Sequence, residues 1–326
     1  MAARLFCLVA IADVSQSFGS TQTVQLNNGV LAPVLSLGTA GYDNDTVQKA
    51  VVLAYKNGFR AVDTAFNYYN QVGVGRALKE VPRSNVFIIS KTTPCVHPQA
   101  SPPYNITDMK ACLVQTRKDI ESDLAQLDVE VIDLLLLHGA NHFGSGSCDR
   151  LACELNIAQW RVYEEFYYAG KLRAIGVSNY CPSCLDCLMN GIPGLKGAKI
   201  IPAVNQVKYH PGMTADPEGV MSYCEQHKII PMSYSPMGSG EVFTDKLLLE
   251  IGKAHNKTAA QVALKWVVAK GYLVATLTNN AKHLQEDMDL FSWNLSSAET
   301  ARIDDYSASH DLPSWACTMA TETITV

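Results

Sequence analysis

VIDLLLLH, residues 131–138, is a short apolar run that ends in a polar residue able to do chemistry. The pattern recurs along the chain. AVDTA (61–65) leads to Asp63 and Tyr68, VFIISK (86–91) ends in Lys91, and AIGVSN (174–179) ends in Ser178 and Asn179. AVNQVKY (203–209) carries Gln206 and IIPMSYS (229–235) carries Tyr234, while VLSLGT (34–39) opens the series and LVATLT (273–278) closes it. Helix-like stretches separate most of these runs. Alternating strands and helices imply a parallel sheet with helical crossovers. Eight such units are the count that closes a (β/α)8 TIM barrel, whose chemistry sits at the C-terminal ends of its strands.

The chain has 326 residues with 48% hydrophobic content, a size normal for one barrel. Residues 21–326 are read as a single barrel domain with an N-terminal β-hairpin and a C-terminal loop. The net charge of −5 gives no basic footprint for nucleic acid. No apolar stretch approaches the roughly 18 residues of a membrane span. A monomer acting on a small molecule is expected. Residues 1–20 read either as a weak signal peptide, with LFCLVAIA as its apolar core, or as an N-terminal extension of a cytosolic protein. The short apolar core and the early Asp13 favour the extension, so a cytoplasmic location is expected, with secretion as the alternative.

Between the runs, TVQLNNGVLAP (23–33) reads as a hairpin turning at Asn28-Gly29, placed to plug the bottom of the barrel. Asp45 is expected to cap a helix through Lys56. Further helices are expected after Asn70 through Lys79, from Thr107 to Leu127, from Leu155 to Gly170, over Pro217–His227, Asp245–His255 and Thr258–Lys270, and from Ser297. The four prolines of residues 94–106 argue against regular structure there. That segment and HGANHFGSGSCD (138–149) are read as mouth loops, Gly191–Gly197 as a turn-rich link, and the tail from Ser309 as irregular.

Ten cysteines are spread over the chain. In a secreted protein some would pair; in a cytosolic one they serve mostly as small apolar fillers. Cys181, Cys184 and Cys187 form a C-x2-C-x2-C run that looks like a metal or cluster motif. It lacks an evident fourth ligand, so no metal is expected and ordinary thiols are the reading. Sequons at Asn44, Asn105, Asn256 and Asn294 decide little by themselves.

Asp63, Tyr68, Lys91 and His138 make a constellation with a chemical logic. A phenol titrates near about 10 and is a poor acid alone at neutral pH. A nearby ammonium favours phenolate and lowers that value. A carboxylate keeps the ammonium charged and oriented, and an imidazole beside a carbonyl oxygen stabilises developing negative charge. Together they make a proton donor for carbonyl reduction. A cofactor must bring the hydride, since no side chain supplies one.

The same residues carry a family resemblance. GFRAVDTAFNYYNQVGVGRAL (58–78) resembles the signature of the aldo-keto reductases, and FIISKTT, VIDLLLLH, IGVSNY, VNQVKYHP and SYSPMGS follow in that family's order. The resemblance covers Thr23 to Ser307. It implies that Tyr68 protonates the substrate carbonyl, helped by Lys91, Asp63 and His138, with Tyr68 rather than Tyr69 in register. It implies that Ser178, Asn179 and Gln206 hold the nicotinamide carboxamide and that Tyr234 stacks on the ring. Thr39 and Asp63 match groups near the cofactor ribose, and Ser235, Met237, Gly238 and Ser239 match the loop beside the pyrophosphate.

Two departures stand out. HLQEDMDLF (283–291) sets a frame that puts Leu277, Thr278 and His283 where the family has its phosphate-gripping Lys-Ser and Arg. Thr278, Asn279, Lys282 and His283 remain to meet a 2′-phosphate, and Glu286 and Asp287 match the adenine contacts. NADPH is therefore expected, with NADH possible because the phosphate clamp is incomplete. Gly139-Ala140 and Ala40 replace aromatic pocket walls, leaving Tyr42, Tyr69, His97, Tyr104, His142, Phe143 and Trp315 as candidate walls. The reading is NAD(P)H-dependent reduction of an aldehyde or ketone. Its rivals are a dinucleotide-binding, non-catalytic regulatory barrel, against which the intact tetrad argues, and a metal-dependent barrel hydrolase, for which only Asp63 and His138 could serve as ligands.

Overall fold

The computed structural model describes residues 21–97, 104–141 and 148–308. Eight parallel strands close into a barrel: β1 (Leu35–Gly38), β2 (Ala61–Asp63), β3 (Phe87–Thr92), β4 (Ile132–Leu137), β5 (Leu172–Ser178), β6 (Val204–Lys208), β7 (Ile230–Tyr234) and β8 (Leu273–Thr276). Each matches one of the apolar runs. β8 pairs with β1, with Thr276 beside Leu37, and this pairing closes the ring. Ten α-helices are described: α1 (Asn44–Lys56), α2 (Gln71–Leu78), α3 (Met109–Leu127), α4 (Arg150–Tyr168), α5 (Pro182–Asn190), α6 (Val220–Gln226), α7 (Lys246–His255), α8 (Ala259–Ala269), α9 (Ala281–Met288) and α10 (Ser297–Ala308).

The two-residue period of a strand divides every run between two cores. Phe87, Ile89, Leu134, Leu136, Ala174, Val204, Met232 and Leu273 fill the barrel interior. Ile88, Leu135, Leu137, Ile175, Val177, Val207 and Val274 face the helices. Continuing the interior series upward along each strand reaches Asp63, Lys91, His138, Ser178, Gln206 and Tyr234. The chemistry-bearing residues are thus interior-facing positions at or near the C-terminal ends of their strands. Gly176 belongs to this series because a Cβ there would lie 2.7 Å from both Leu136 Cδ2 and the Val204 carbonyl oxygen. Asp133, the charge inside the β4 run, points the other way. Its buried carboxylate accepts from the Ile88 amide at 2.8 Å, Arg83 at 2.9 Å and Arg173 at 2.7 Å.

The bottom of the barrel is plugged as expected. Thr23–Gln25 pairs antiparallel with Leu31–Pro33, and Gly29 takes a positive φ of 87° in the turn. Asn27 donates to the Pro202 carbonyl and Asn28 to the Arg173 carbonyl, each at 2.9 Å. Leu26 enters the interior core.

Several local expectations are corrected. Asp43, not Asp45, caps α1 by accepting from the Thr46 amide. Asp149 caps α4, which starts at Arg150 rather than near Leu155. The proline-rich segment after β3 contains a short antiparallel pair, Val96–His97 with Tyr104–Asn105, whose four residues are all non-proline. Gly191–Ile192 and Leu195–Lys196 form another such pair within the link before β6. The expected irregular tail and candidate walls His142, Phe143 and Trp315 lie outside the described residues.

The helix ring is packed most closely where α1 meets α2. The Gly73 amide donates to Asn44 Oδ1 at 2.7 Å, and a Cβ on Gly73 would sit 2.2 Å from the Asn44 carbonyl oxygen and 2.5 Å from Val47 Cγ1. Backbone cannot step aside as a flexible side chain can. Gly73→Ala should therefore cost about 1–3 kcal/mol or more by overpacking. Chemical denaturation checks this: a lower midpoint with an unchanged slope is the expected result.

Candidate active site

The centre of the mouth is a buried ion pair. Lys91, fully buried at the end of β3, donates to Asp63 Oδ1 at 2.6 Å and to the Thr64 carbonyl at 2.9 Å. The other carboxylate oxygen of Asp63 accepts from Gln206 Nε2 at 2.7 Å. Thr39 Oγ1 donates to the Asp63 carbonyl at 3.1 Å, which ties β1 to β2 at the same level. Burial alone would pull the Lys91 ammonium down. The Asp63 carboxylate and the Tyr68 phenol outweigh it and hold Lys91 above its ordinary value.

Tyr68 stands on a single 3-10 turn, Phe66–Tyr68, directly after β2. Its ring centroid is 5.1 Å from Lys91 Nζ and 5.7 Å from the His138 ring, which meets it edge-on. The phenol is held above its ordinary value, contrary to the expected lowering. Burial raises it most, Lys91 pulls it back, and Asp63 offsets part of that pull. The ammonium acts in the expected direction, but burial is the larger effect. Tyr69, by contrast, is 63% exposed with a φ of 57°, and it caps the turn.

His138 is positioned by a residue that sequence reasoning missed. Its Nδ1 lies 2.9 Å from Asn67 Oδ1, within the same 3-10 turn that carries Tyr68. One turn therefore sets both the phenol and the imidazole. The only sequence signal was the position of Asn67 inside the AFNYYN stretch. The His138 carbonyl accepts from Asn179 Nδ2 at 3.1 Å.

The proposed nicotinamide residues also meet. Ser178 Oγ donates to the Gln206 carbonyl at 2.8 Å, Asn179 Nδ2 to Ser178 Oγ at 3.2 Å, and Tyr234 Oη to Asn179 Oδ1 at 2.9 Å. Asn179 adopts a left-handed backbone, φ 56°, in which its amide N–H reaches the Gln206 carbonyl at 2.8 Å. Beside Tyr234, residues Ser235, Met237, Gly238 and Ser239 form a turn, with Gly238 N–H donating to the Ser235 carbonyl at 2.9 Å. Ser239 N–H donates to the Glu241 carboxylate at 2.5 Å. Burial would raise Glu241, but backbone N–H groups of Glu241 and Ser239, with His210 and Lys208, hold it below the usual carboxylate range. A carboxylate from within the same segment thus takes the backbone donors of this turn.

Thr278, Asn279, His283 and Glu286 lie at the far rim, where β8 leads into α9. Thr278 Oγ1 is 3.5 Å from His283 Nδ1, and Lys282 pairs with Glu286 at 3.6 Å. Leu277 is 53% exposed where a cation was missed. Asp287 is buried, and burial raises its carboxyl to about 7 despite a hydrogen bond with Thr276.

The cysteine run resolves differently from the expected set of thiols. Cys184 is bonded to Cys148 and Cys187 to Cys153, and a further disulfide joins Cys95 to Cys112. Helix α5 places Cys184 and Cys187 toward their partners, Cys148 just before the N-cap of α4 and Cys153 in its first turn. Two of the three cysteines are therefore committed to covalent ties, and neither offers a thiolate to a metal.

With this geometry established, comparison with known proteins is direct. The model of the aldo/keto reductase family matches residues 34–308. A glyoxal reductase of Bacillus subtilis (strain 168) is 32% identical over 287 residues, which cover 86% of this chain and 91% of that protein. A glycerol 2-dehydrogenase (NADP(+)) of Saccharomyces cerevisiae is 28% identical over 297 residues, 84% of this chain and 87% of that protein. The crystal structure of an aldo/keto reductase from Brucella melitensis superposes with a TM-score of 0.75 at 26% identity, covering 88% of this chain and 100% of that one.

Truncating Asn67 tests its role in orienting His138. Asn67→Ala removes one hydrogen bond, worth about 0.5–1.5 kcal/mol. Carbonyl reduction should fall about 2- to 10-fold in kcat/KM, with little change in thermal midpoint, read by steady-state kinetics beside a melting curve.

Proposed function

The chain belongs to the aldo/keto reductase family and is an NAD(P)H-dependent oxidoreductase acting on carbonyl compounds; from that premise we propose that Tyr68 is the proton donor to the substrate oxygen. The observation that carries this reading is the position of Lys91, shared between the Asp63 carboxylate and the face of the Tyr68 ring, with His138 edge-on to the same ring. The buried ammonium stabilises phenolate after the proton has left. Asp63 keeps the ammonium charged, and Gln206 keeps Asp63 in place. Nδ1 of His138 meets the Asn67 amide; the imidazole donates to the carbonyl oxygen from Nε2–H when the ring is protonated, or when the Asn67 amide presents its NH2 to an unprotonated Nδ1. A bound nicotinamide dinucleotide supplies the hydride. Ser178, Asn179, Gln206 and Tyr234 would hold its nicotinamide end, and Thr39 and the Ser235–Ser239 turn would contact its ribose and pyrophosphate. The tetrad is complete in residue types and contacts, which favours catalysis over a purely regulatory role.

Tyr68→Phe should lower carbonyl reduction by about 10²–10⁴-fold while the protein still quenches NADPH fluorescence on binding. Tyr69→Phe should leave turnover near wild type, because that ring is exposed on the rim. Loss of activity in Tyr69→Phe alone would reassign the donor.

For the cofactor, the reading is NADPH held by a weakened clamp. Lys282, Thr278 and His283 surround the expected 2′-phosphate position, but the exposed Leu277 contributes no charge. A glycerol 2-dehydrogenase (NADP(+)) among the relatives favours the phosphorylated form. Leu277→Lys combined with His283→Arg should tighten NADPH and leave NADH nearly unchanged, since only NADPH presents a 2′-phosphate to the new cations. Fluorescence titration of both cofactors reads the difference; an equal change in the two would move the phosphate elsewhere.

On location, three disulfides favour an oxidising compartment, the secreted alternative, over the cytosol. Thiol blocking at the moment of cell lysis, followed by mass measurement, distinguishes the oxidised chain from a reduced one.

A further inference from the structure

The cysteine run has a use that carbonyl reduction does not absorb. Cys181 carries a thiol at the N-cap of α5, and its Sγ lies 3.7 Å from Sγ of Cys184. Cys184 is itself half of the disulfide with Cys148. A thiol in contact with a disulfide sulfur is the starting arrangement for exchange. We propose that Cys181, Cys184 and Cys148 form a thiol–disulfide exchange centre that makes Cys148 a modification site for low-molecular-weight disulfides.

The step balances within the chain. Cys181 gives its proton to water, and its thiolate attacks Sγ of Cys184. The Cys181–Cys184 bond forms, the Cys184–Cys148 bond breaks, and Cys148 leaves as a thiolate that takes up a proton. No electrons enter or leave. The C-x2-C spacing across the first turn of a helix brings the two sulfurs to the same face.

Both ends of the exchange are supported by polar groups. Ser183 Oγ lies 3.2 Å from the Cys181 sulfur, placed to donate to the attacking thiolate, and Cys181 sits at the positive end of α5. Asn156 Nδ2 donates to the Cys148 sulfur at 3.3 Å, which stabilises the leaving thiolate. Cys181 and Cys184 are buried, whereas Cys148 is half-buried, so exchange moves the reactive thiol from the interior toward solvent. There it can attack a small disulfide such as oxidised glutathione, forming a mixed disulfide on Cys148 and expelling one glutathione thiolate.

Exchange also touches the site. Asn156 Oδ1 accepts from the Asn141 amide at 2.8 Å and from Tyr180 Oη at 3.1 Å, and Tyr180 directly follows Asn179. The sulfur that leaves is thus hydrogen-bonded to the residue that joins the segment after β4 to the turn bearing Asn179.

The experiment is disulfide mapping by mass spectrometry on the full oxidised chain, purified without reductant and incubated at mildly alkaline pH with iodoacetamide or with oxidised glutathione. The expected result in wild type is a Cys181–Cys184 linkage alongside Cys148–Cys184, with the alkyl or glutathionyl group on Cys148 in the exchanged chains. Cys181→Ser, and Cys181→Ala as a second variant, should retain Cys148–Cys184 and lose labelling at Cys148. Wild type showing only Cys148–Cys184, or all three cysteines reduced, overturns the proposal. So does equal labelling of Cys148 with and without Cys181. The readout is linkage and label, so it stands apart from any result on carbonyl turnover.

Discussion

The contact between Lys91 and Asp63 is the one on which the mouth of this barrel depends. Both groups are almost wholly removed from water, and a buried pair of this kind does not obviously stabilise a fold, since desolvation can cancel the attraction. Its value lies in placement. The ammonium is pinned by a carboxylate from the neighbouring strand and by the Thr64 carbonyl, so it has one position. The carboxylate in turn is shared with Gln206, whose strand lies across the ring from β2. Three strands of the barrel, β2, β3 and β6, are locked together by charge-assisted bonds before any substrate arrives. Removing either partner would leave an uncompensated buried charge, which is far more costly than the pair itself is stabilising.

That pair shows why so much of the site was legible in the sequence. Parallel strands buried on both faces read as short apolar runs, and a polar residue at the end of such a run stands out. Because side chains alternate, the inward positions near the end of each strand are fixed once the strand is fixed, and Asp63, Lys91, His138, Ser178, Gln206 and Tyr234 all fall on that inward parity. What was not legible depends on contacts that cross the chain without a period. Asn67 orients His138 from within a single 3-10 turn, where no repeat marks it. The N-cap of α1 moved from Asp45 to Asp43 because a side chain must reach a free amide three residues on, and several carboxylates nearby could have done so. Disulfide connectivity cannot be deduced from spacing. The C-x2-C-x2-C run showed no fourth ligand in the sequence, and its partners Cys148 and Cys153, at the start of the α4 unit, are brought to it only by the fold.

The covalent ties are not spread evenly around the ring. Cys95–Cys112 anchors the segment after β3 to α3, and the other two disulfides join the start of α4 to α5. All three stand on consecutive units of one side of the barrel, the side whose loops follow Lys91 and His138. Each closes a chain segment of 17, 36 or 34 residues, and loops of that size give about 3–4 kcal/mol of stabilisation in the chain-entropy account. Loops at a barrel mouth are otherwise the least constrained parts of the fold, and they set specificity. Cross-linking ties the described parts of these segments to the helix ring and removes conformational freedom from the unfolded chain.

The same side holds an unusual density of buried side-chain amides. Asn141, Asn156 and Gln159 bond to one another, to Tyr180, to the Thr93 carbonyl and to the Cys95 amide. Such a network stabilises a structure only when every member is satisfied, and it then specifies one arrangement. Here it connects the segments after β3, β4 and β5, which bear Lys91, His138 and Asn179. Gly139 and Ala140 follow His138, where the family resemblance leads to the expectation of an aromatic wall. Rigidity that a ring would supply by packing is supplied instead by amide hydrogen bonds and disulfides. The residues that do the chemistry thus hang from the strands, while the segments that follow β3 and β4 are tied to the helices by disulfides.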